Sequence, residues 1–243
     1  MTIPRLYHSQ ELAPHREICL DEAATHHAVR VLRLKEKETI VLFNGKGGEY
    51  PARVVGIRKN QATVLTGEWQ NIERESALHI VLAQALQSAE KMNLTVQKAV
   101  ELGAAVIQPL VSQRGAVRTD AASAQKRVEH WRRVAIAACE QCGRNRIPRI
   151  ADTISLKEFV CSADKGMLRL MLCLEGGSSF KRFKYKSGGI IVLVGAEGGL
   201  TPEEERTAHA AGFTPVTLGQ RILRTETAGL AALAAIQALW GDF

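Results

Sequence analysis

Apolar runs alternate with helical patterns over the last two thirds of the sequence, and this alternation restricts the fold more than any other feature. Runs rich in branched aliphatic residues predict strands at residues 78–86, 104–111, 169–175, 190–195 and 214–219. Apolar residues at helical spacing predict helices at residues 88–102, 124–142, 201–211 and 225–240. Such alternation is typical of βαβ units, in which helices cover a mostly parallel sheet. The sequence therefore predicts an α/β fold.

The beginning of the chain has a different pattern. Strands are predicted at residues 39–43, 50–58 and 62–69, with one helix at residues 22–34. This combination favours a small β-barrel that carries Arg30 and Arg33 on its surface. A polar, charged stretch at residues 71–76 follows and is interpreted as a linker. We therefore predict two domains, residues 1–72 and residues 73–243.

Composition restricts the setting of the protein. No apolar run is long enough to span a bilayer, and the first ten residues contain no apolar signal core. The five cysteines are odd in number and scattered, which favours reduced thiols. Cys139 and Cys142 form a C-x-x-C pair, but a zinc site needs a second ligand pair, which the sequence lacks. We expect a cytoplasmic protein with no membrane association and no metal site.

Positive charge is concentrated in one segment. Residues 114–149 contain nine basic residues, including Arg118, against three acidic residues, which accounts for most of the net charge of +7. Eight of the nine are arginines, whose guanidinium groups suit bidentate phosphate contacts. Two lysines on one face of the helix after the strand at 78–86 are further candidates. The predicted RNA-binding residues are Arg30, Arg33, Lys91, Lys98, Arg114, Arg144, Asn145 and Arg146.

Two glycine-bearing loops follow predicted strands. In "GAEGGLT", residues 195–201, Thr201 begins a helix and forms a capping box with Glu204. In "LGQRILRTET", residues 218–227, Thr225 is the expected N-cap and Glu226 lies in the first helical turn. Elsewhere in the chain, Ser88 is the expected N-cap of the helix at 88–102. Neither loop matches a dinucleotide-binding fingerprint or a P-loop. Loops at the carboxyl ends of parallel strands form ligand sites, so these two loops predict one pocket.

These loops, together with "EKMNLTVQKAVELGA", "CEQCGRNRIP" and "PRLYH", resemble the bacterial 16S ribosomal RNA uridine-N3 methyltransferases of the SPOUT superfamily. The resemblance covers nearly the whole chain. One departure is Ala196, where that family usually has proline; the change removes neither an acid nor a hydrogen-bond donor. The resemblance implies a C-terminal trefoil knot, a PUA-like N-terminal barrel that binds RNA, and a homodimer.

The resemblance also implies a site. S-adenosylmethionine would be held by three loops, through residues Leu172, Leu174, Gly195, Glu197, Gly198, Gly199, Leu218, Gly219, Ile222, Leu223, Thr227 and Ala228. Uridine N3 is a poor nucleophile until its proton is removed. Glu197 and Glu226 are the candidate bases, and Arg221 and Arg224 are the candidate stabilisers of the uracil anion. The sequence does not rank them, and Arg144 from a second subunit stays an alternative.

The implied substrate is 16S ribosomal RNA, within the assembled 30S subunit. A SPOUT enzyme that methylates a ribose 2′-hydroxyl is an alternative, because it would use the same cofactor pocket with different neighbours. An RNA-binding assembly factor without catalytic activity is another, and it rests on the basic segment alone. A nucleotide-dependent dehydrogenase is disfavoured, because its glycine fingerprint is missing.

Overall fold

A computed structural model describes residues 3–58, 61–115 and 121–243, so Arg118 lies outside the described residues. The chain forms two compact units. The first contains residues 1–75 together with residues 136–147, and the second contains residues 76–135 and 148–243. The end of the longest helix and the loop after it therefore belong to the first unit, although the sequence pattern assigns them to the second domain.

The first unit is built on a five-stranded sheet in the order β1-β3-β4-β5-β2. Its strands are β1 (Arg5–Tyr7), β2 (Glu17–Cys19), β3 (Thr39–Phe43), β4 (Tyr50–Arg58) and β5 (Gln61–Thr66). β1 pairs with β3 in parallel, and the other neighbours are antiparallel. Alternate residues of β3, β4 and β5 point into one apolar core, which includes Ile40, Leu42, Val54 and Val64. No ladder joins β1 to β2 among the described residues, so this unit is a sheet whose closure into the predicted barrel stays a prediction.

The predicted helix at residues 22–34 is shorter and less regular in the structure. It begins as α1 (Glu22–His26), where the Asp21 side chain accepts a hydrogen bond from the backbone nitrogen of Ala24. It continues as a π-helical turn, His27–Val31. Ala24 and Ala28 face the core, and Arg30 and Arg33 are exposed.

The second unit is built on a parallel sheet in the order β12-β10-β11-β6-β7-β8, with β9 also paired to β7. Its strands are β6 (Ile80–Ala85), β7 (Val106–Val111), β8 (Arg149–Ile150), β9 (Ile154–Ser155), β10 (Leu168–Leu172), β11 (Ile190–Val194) and β12 (Thr214–Val216). All residues of β6 and β11 are buried, as expected for strands covered on both faces. The predicted α/β fold is confirmed, and the short strands β8 and β9 were not predicted.

Helices cover this sheet, and their bounds are α2 (Ala89–Glu101), α3 (Ala121–Cys142), α4 (Leu156–Ser162), α5 (Pro202–Ala210) and α6 (Thr225–Trp240). The capping box of Thr201 and Glu204 is confirmed. Ser88 precedes α2 as expected, but its side chain makes no capping hydrogen bond. α4 was not predicted; the Ser155 side chain caps it by accepting from the backbone nitrogen of Glu158. Among the described residues, no helix combines the length and apolar character that a bilayer crossing requires.

α6 approaches the sheet closely because of a glycine. A Cβ at Gly229 would lie 3.1 Å from Gln84 Oε1 on β6. One face of α6 is buried, including Ala232, Leu233 and Ile236, while Leu239 is exposed. Gln237 is also buried, where it accepts from the Ser76 hydroxyl and donates to the Leu102 carbonyl oxygen. α6 therefore supplies one wall of the region above the carboxyl ends of β6 and β11.

Candidate active site

A cavity of about 740 Å³ opens at the carboxyl ends of three neighbouring strands, β10, β11 and β12. A ligand the size of a nucleoside derivative fits a cavity of this volume. The loops after these strands form its walls, and the first turns of α5 and α6 contribute to it. Its lining includes Leu172, Leu174, Gly176, Val194, Gly195, Glu197, Gly199, Arg206, Leu218, Gly219, Arg221, Ile222, Leu223 and Ala228.

The loop after β11 turns tightly because its backbone bonds to itself. The backbone nitrogen of Gly199 donates to the carbonyl oxygen of Ala196 at 2.8 Å. A Cβ at Gly195 would approach the Gly199 backbone to 3.0 Å, so a side chain here would require that backbone to shift. Ala196 is buried and accepts the turn hydrogen bond, which alanine provides as well as proline does. The departure from the usual proline therefore leaves the turn intact.

The loop after β12 leads into α6 through Gly219, which has a positive φ of 84° and open space where a side chain would lie. The exposed side chain of Ile222 is on this loop. The predicted N-cap at Thr225 is wrong. Arg224 has the extended backbone of an N-cap residue, and Thr225 is already the first helical residue. Arg224 makes no side-chain capping hydrogen bond. Glu226 is the acidic residue of the first turn, where the helix dipole favours a negative charge.

A lysine joins the two candidate carboxylates. Lys91 Nζ on α2 forms a short ion pair with Glu197, and its distance to Glu226 Oε1 is 3.7 Å. The hydrogen bond from Lys91 lowers the pKa of the Glu197 carboxyl, and the same hydrogen bond raises the pKa of Lys91. Lys91 was predicted to bind RNA phosphates. The structure instead pairs it with both acids, so its positive charge is already balanced by carboxylates within the site.

Glu226 differs from Glu197 in its surroundings. The Glu197 side chain is 62% exposed, whereas that of Glu226 is 11% exposed. Glu226 Oε2 is buried and has no hydrogen-bond partner among the described residues. Buried carboxylate oxygens are normally hydrogen-bonded, so an oxygen of this kind indicates a place where a donor from another molecule binds.

A second cavity of about 530 Å³ is lined by Lys91 and Glu226. Its remaining lining residues are Glu90, Asn93, Leu94, Gln97 and Val134, on α2 and α3. Asn93 Oδ1 lies 3.0 Å from His130 Nε2. This cavity was not predicted, because the residues that form it are distant in sequence and belong to three helices.

Arg114 holds the glycine loop. Its guanidinium donates to the carbonyl oxygens of Gly198 at 2.8 Å and Leu200 at 3.1 Å. Next to it, the backbone nitrogen of Gln113 donates to Glu204, and the Thr201 hydroxyl donates to the Gln113 amide oxygen. Arg114 was predicted to bind RNA, and the structure gives it instead a role in positioning the cavity wall.

The other six predicted RNA-binding residues fall into two groups: four are at least partly exposed, and two are buried. Arg30 and Arg33 are exposed on the first unit, Lys98 pairs with Glu101, and Arg146 is 57% exposed beside Glu73. Arg144 and Asn145 are buried, which corrects their predicted role.

The Arg144 guanidinium forms an ion pair with Glu75, and the Asn145 amide donates to Glu49 and to the Ile72 carbonyl oxygen. A buried, paired arginine does not offer its charge to a phosphate or to a second subunit.

The predicted cofactor residues are mostly brought together. Of those named in the sequence analysis, Thr227 alone does not line the first cavity; it is exposed on α6. Among the predicted catalytic residues, Glu197 and Arg221 line the first cavity, Glu226 lines the second, and Arg224 lines neither. Cys173, Glu205, Arg206 and His209 also line the first cavity and were not predicted. The sequence does show that Arg206 and His209 are three residues apart in the helix predicted at residues 201–211, so that they share one face of it.

The first cavity suits S-adenosylmethionine. Gly199 and Gly219 leave open space where side chains would intrude, so backbone groups are accessible to a ligand. The lining combines aliphatic side chains, including Leu172 and Leu223, with carboxylates, including Glu205. Aliphatic surface accommodates an adenosine ring, and carboxylates suit a ligand that carries positive charge.

Two families match the sequence. The RNA methyltransferase domain family matches residues 74–237, and the RNA methyltransferase PUA domain family matches residues 20–66. The ribosomal RNA small subunit methyltransferase E of Buchnera aphidicola subsp. Schizaphis graminum is 32% identical over 240 residues, which cover 99% of this chain and 98% of that protein. The protein of the same name from Bacillus subtilis is 34% identical, with 87% of this chain and 86% of that protein covered.

Solved structures of methyltransferases are similar to this chain in both fold and sequence. A methyltransferase from Legionella pneumophila in complex with the bound cofactor SAM matches with a TM-score of 0.96 and 36% identity over 100% of both chains. The ribosomal RNA small subunit methyltransferase E from Neisseria gonorrhoeae, bound to S-adenosyl methionine, matches with a TM-score of 0.93 and 40% identity over 100% of both chains. This chain therefore belongs to the RNA methyltransferase family of the ribosomal RNA small subunit methyltransferase E proteins.

Proposed function

We propose that this protein transfers a methyl group from S-adenosylmethionine to N3 of a uridine in 16S ribosomal RNA of the small subunit. The observation that carries the proposal is the cavity at the ends of β10, β11 and β12, lined by Glu197, which is paired with Lys91. Relatives that cover the whole chain are named small-subunit ribosomal RNA methyltransferases, and two similar structures contain the methyl donor.

The loops that line the first cavity would hold the methyl donor mainly through backbone groups. The carbonyl and amide groups near Gly199 and Gly219 can approach a ligand closely because neither residue has a side chain. When bound, S-adenosylmethionine supplies an electrophilic methyl group on a sulfonium. The remaining task of the protein is to orient the acceptor and to manage one proton.

The acceptor nitrogen must lose its proton, and the resulting charge must be stabilised. A carboxylate beside the cavity can accept the proton. The exposed Arg221 and Arg224, with Lys91, supply positive charge to oxygens that become negative as the proton leaves. A ribose 2′-hydroxyl has no such delocalised anion, so this combination of an acid pair with three cations favours the base over the ribose.

The proposal includes the finer architecture. The first domain, residues 1–72, would bind RNA through a PUA-like barrel, and residues 73–243 would form the catalytic domain with a C-terminal trefoil knot. The position of β12 beside β10, on the side away from β11, supports such threading. The substrate would be the assembled 30S subunit in the cytoplasm. The active species would be a homodimer formed through α6, whose residues Leu230, Ala231, Ala234 and Ala235 are only partly covered.

The deciding experiment uses small subunits that lack the modification. The protein is incubated with them and labelled S-adenosylmethionine, and the RNA is digested to nucleosides and analysed by mass. The expected product is N3-methyluridine. A 2′-O-methylated nucleoside would favour the ribose methyltransferase alternative. Absence of transfer, despite tight RNA binding, would favour the assembly factor.

A further inference from the structure

The second cavity, formed by α2, α3 and the start of α6, is not part of the pocket for the methyl donor. We propose that it holds the uracil base of the acceptor nucleotide, flipped out of the RNA, and that Glu226 rather than Glu197 accepts the N3 proton. The inference rests on the proposed function. It adds a site for the acceptor and divides the work between the two carboxylates.

The two cavities meet at the beginning of α6. Thr225 and Ala228 line the first cavity, and Glu226 between them lines the second. Lys91 lines the second cavity and is paired with Glu197, which lines the first. A base in the second cavity would therefore lie beside the Lys91–Glu197 pair, with N3 directed toward the methyl donor's cavity. This arrangement suits a transfer between two ligands that enter from different sides.

The second cavity has the lining of a base pocket. Leu94 and Val134 supply apolar surface on which a pyrimidine ring can lie, and Asn93 and Gln97 supply amides. The two amides are four residues apart on α2, so they lie on one face of the helix. The bond with His130 orients the Asn93 amide and leaves its NH₂ group able to donate to a uracil carbonyl. Enzymes that modify a base bind it flipped from the stack, with contacts to its Watson–Crick edge.

The proton acceptor follows from the partners of each carboxylate. The Glu197 carboxylate is exposed and bonded to Lys91, which stabilises its ionised form and makes it a weak base. Glu226 keeps Oε2 buried and without a partner among the described residues, while its Oε1 is 3.7 Å from Lys91 Nζ. An N–H donor of uracil would satisfy that oxygen. Glu197 then acts as a positioning residue, because it holds Lys91 beside Glu226.

The proton and the methyl group can be followed through the step. The uracil N3–H bond breaks, and the proton is transferred to Glu226 Oε2. The electron pair left on the ring, spread over N3 and the two carbonyl oxygens, then forms the N3–CH₃ bond. The sulfur–methyl bond breaks, and its electron pair stays on sulfur, which becomes a neutral thioether. Glu226 afterwards releases its proton to water.

The first test fills the second cavity. Gln97→Trp places an indole in it, and Gln125→Trp, at an exposed position on α3 that does not line the cavity, is the matched control. We expect Gln97→Trp to bind S-adenosylmethionine as the wild type does, by calorimetry, but to transfer methyl at least about 100-fold more slowly to small subunits. The control should transfer normally. A folded Gln97→Trp variant with the wild-type rate overturns the base pocket.

The second test locates the base without relying on activity. Small-subunit RNA carrying 4-thiouridine at the methylated position is bound to the protein and irradiated, and the crosslinked peptide is identified by mass. A crosslink within α2 or at Val134 is expected. A crosslink confined to other segments overturns the proposal. If the wild type yields no N3-methyluridine, the proposed function itself fails, and the acceptor pocket fails with it.

The third test separates the carboxylates. Glu226→Gln should slow the transfer step by about 10²–10⁴-fold, the usual contribution of a general base. Its residual rate should rise about tenfold per pH unit, because the uracil anion must then form in solution. Glu197→Gln should keep the wild-type shape of the pH profile with a smaller loss of rate. The reverse pattern, with the profile altered in Glu197→Gln only, assigns the proton to Glu197 and contradicts the inference.

Discussion

The Arg114 guanidinium donates to the carbonyl oxygen of Gly198 at 2.8 Å, and the aliphatic part of the same side chain lies against that glycine. A Cβ at Gly198 would lie 3.3 Å from Arg114 Cδ. An arginine in the basic segment thus contacts the wall of the candidate cofactor cavity. Arg114 therefore holds the loop after β11 through the loop's carbonyl oxygens. The hydrogen bond from Gly199 to Ala196 holds the turn within the loop.

Replacing Arg114 should weaken binding of the methyl donor. We expect Arg114→Ala to lower S-adenosylmethionine affinity about fivefold, equivalent to about 1 kcal/mol, because the exposed guanidinium makes two hydrogen bonds to the loop. Calorimetric titration measures the change. Arg133→Ala, which removes an exposed arginine from α3, is the control and should leave the affinity unchanged. Equal affinity in both variants would mean that the loop keeps its conformation without Arg114.

Gly219 should tolerate no side chain without loss of binding. Its positive φ of 84° costs any other residue about 1–2 kcal/mol, and a Cβ would also project into open space at the cavity. Gly219→Ala is therefore expected to reduce S-adenosylmethionine affinity at least tenfold and to lower stability slightly. Gly56→Ala, on β4, is the control, since it has similar open space and no positive φ. Circular dichroism confirms folding, and unchanged affinity in folded Gly219→Ala would remove this loop from the site.

Local sequence patterns predicted the local parts of the site. The capping box of Thr201 and Glu204 depends on four consecutive residues, so it was visible in the sequence, as was the alternation of the longer strands and helices. The N-cap at the start of α6 was predicted one residue late, at Thr225, because residue type alone does not show where the backbone leaves the extended conformation.

Pairing between distant residues was not visible. Lys91 and Glu197 are 106 positions apart, and Glu49 and Asn145 are 96 apart. A sequence pattern shows that a lysine or an arginine is present, but not which acid neutralises it. Three basic or polar side chains, of Lys91, Arg144 and Asn145, were therefore interpreted as free to bind phosphate, although each is bonded to an acid. The exposed charge of the basic segment is therefore smaller than its composition indicates.

The buried carboxylate of Glu49 should stabilise the first unit. It accepts hydrogen bonds from Arg5, Arg74 and Asn145. Removing its charge leaves a buried arginine without its partner, so we expect Glu49→Gln to lower the free energy of unfolding by about 3–5 kcal/mol. Urea denaturation followed by circular dichroism measures it. Glu68→Gln, at an exposed glutamate, is the control and should change stability by less than about 1 kcal/mol.

The effect of Glu49 should also depend on pH. Burial by itself would raise its pKa, but the hydrogen bonds from Arg5, Asn145 and Arg74 outweigh burial and hold the pKa below its ordinary value of 4.5. For an acid with a lowered folded pKa, the stabilisation is complete above the unfolded pKa and is lost as the pH falls through the folded pKa. The stability difference between wild type and Glu49→Gln should be constant near neutral pH and shrink below about pH 4.5. A difference that grows in acid would contradict the ion-pair explanation.

RNA binding should depend on exposed cations of the first unit rather than on Arg144. Arg30 is exposed, and Arg30→Gln should make the salt dependence of RNA binding shallower by about 0.7–0.9 in log–log slope if it contacts one phosphate. S-adenosylmethionine affinity should stay unchanged. Lys157→Gln, at an exposed position on α4 outside the predicted RNA-binding residues, is the control. Equal slopes for both variants and the wild type would exclude Arg30 from the RNA-binding surface.

The apolar outer face of α6 predicts a second copy of the chain as its cover. Its inner face, with Ala232, Leu233 and Ile236, is buried, but Ala231 and Ala234 are only partly covered and no charged residue lies between Ala228 and Trp240. Small side chains on such a face allow close helix approach, and a two-fold axis brings identical faces together. We predict that the wild type is a dimer at micromolar concentration.

A charge on that face should separate the subunits. Ala234→Glu would have to bury a carboxylate against the partner helix, and an unpaired buried charge costs several kcal/mol. The expected result is a monomer, or poorly soluble protein, that transfers no methyl group to small subunits. Ala122→Glu, at an exposed alanine of α3, introduces the same charge and should remain dimeric and active. Sedimentation measures the oligomeric state. A dimeric, active Ala234→Glu variant would remove α6 from the interface, whereas an active wild-type monomer would end the dimer proposal.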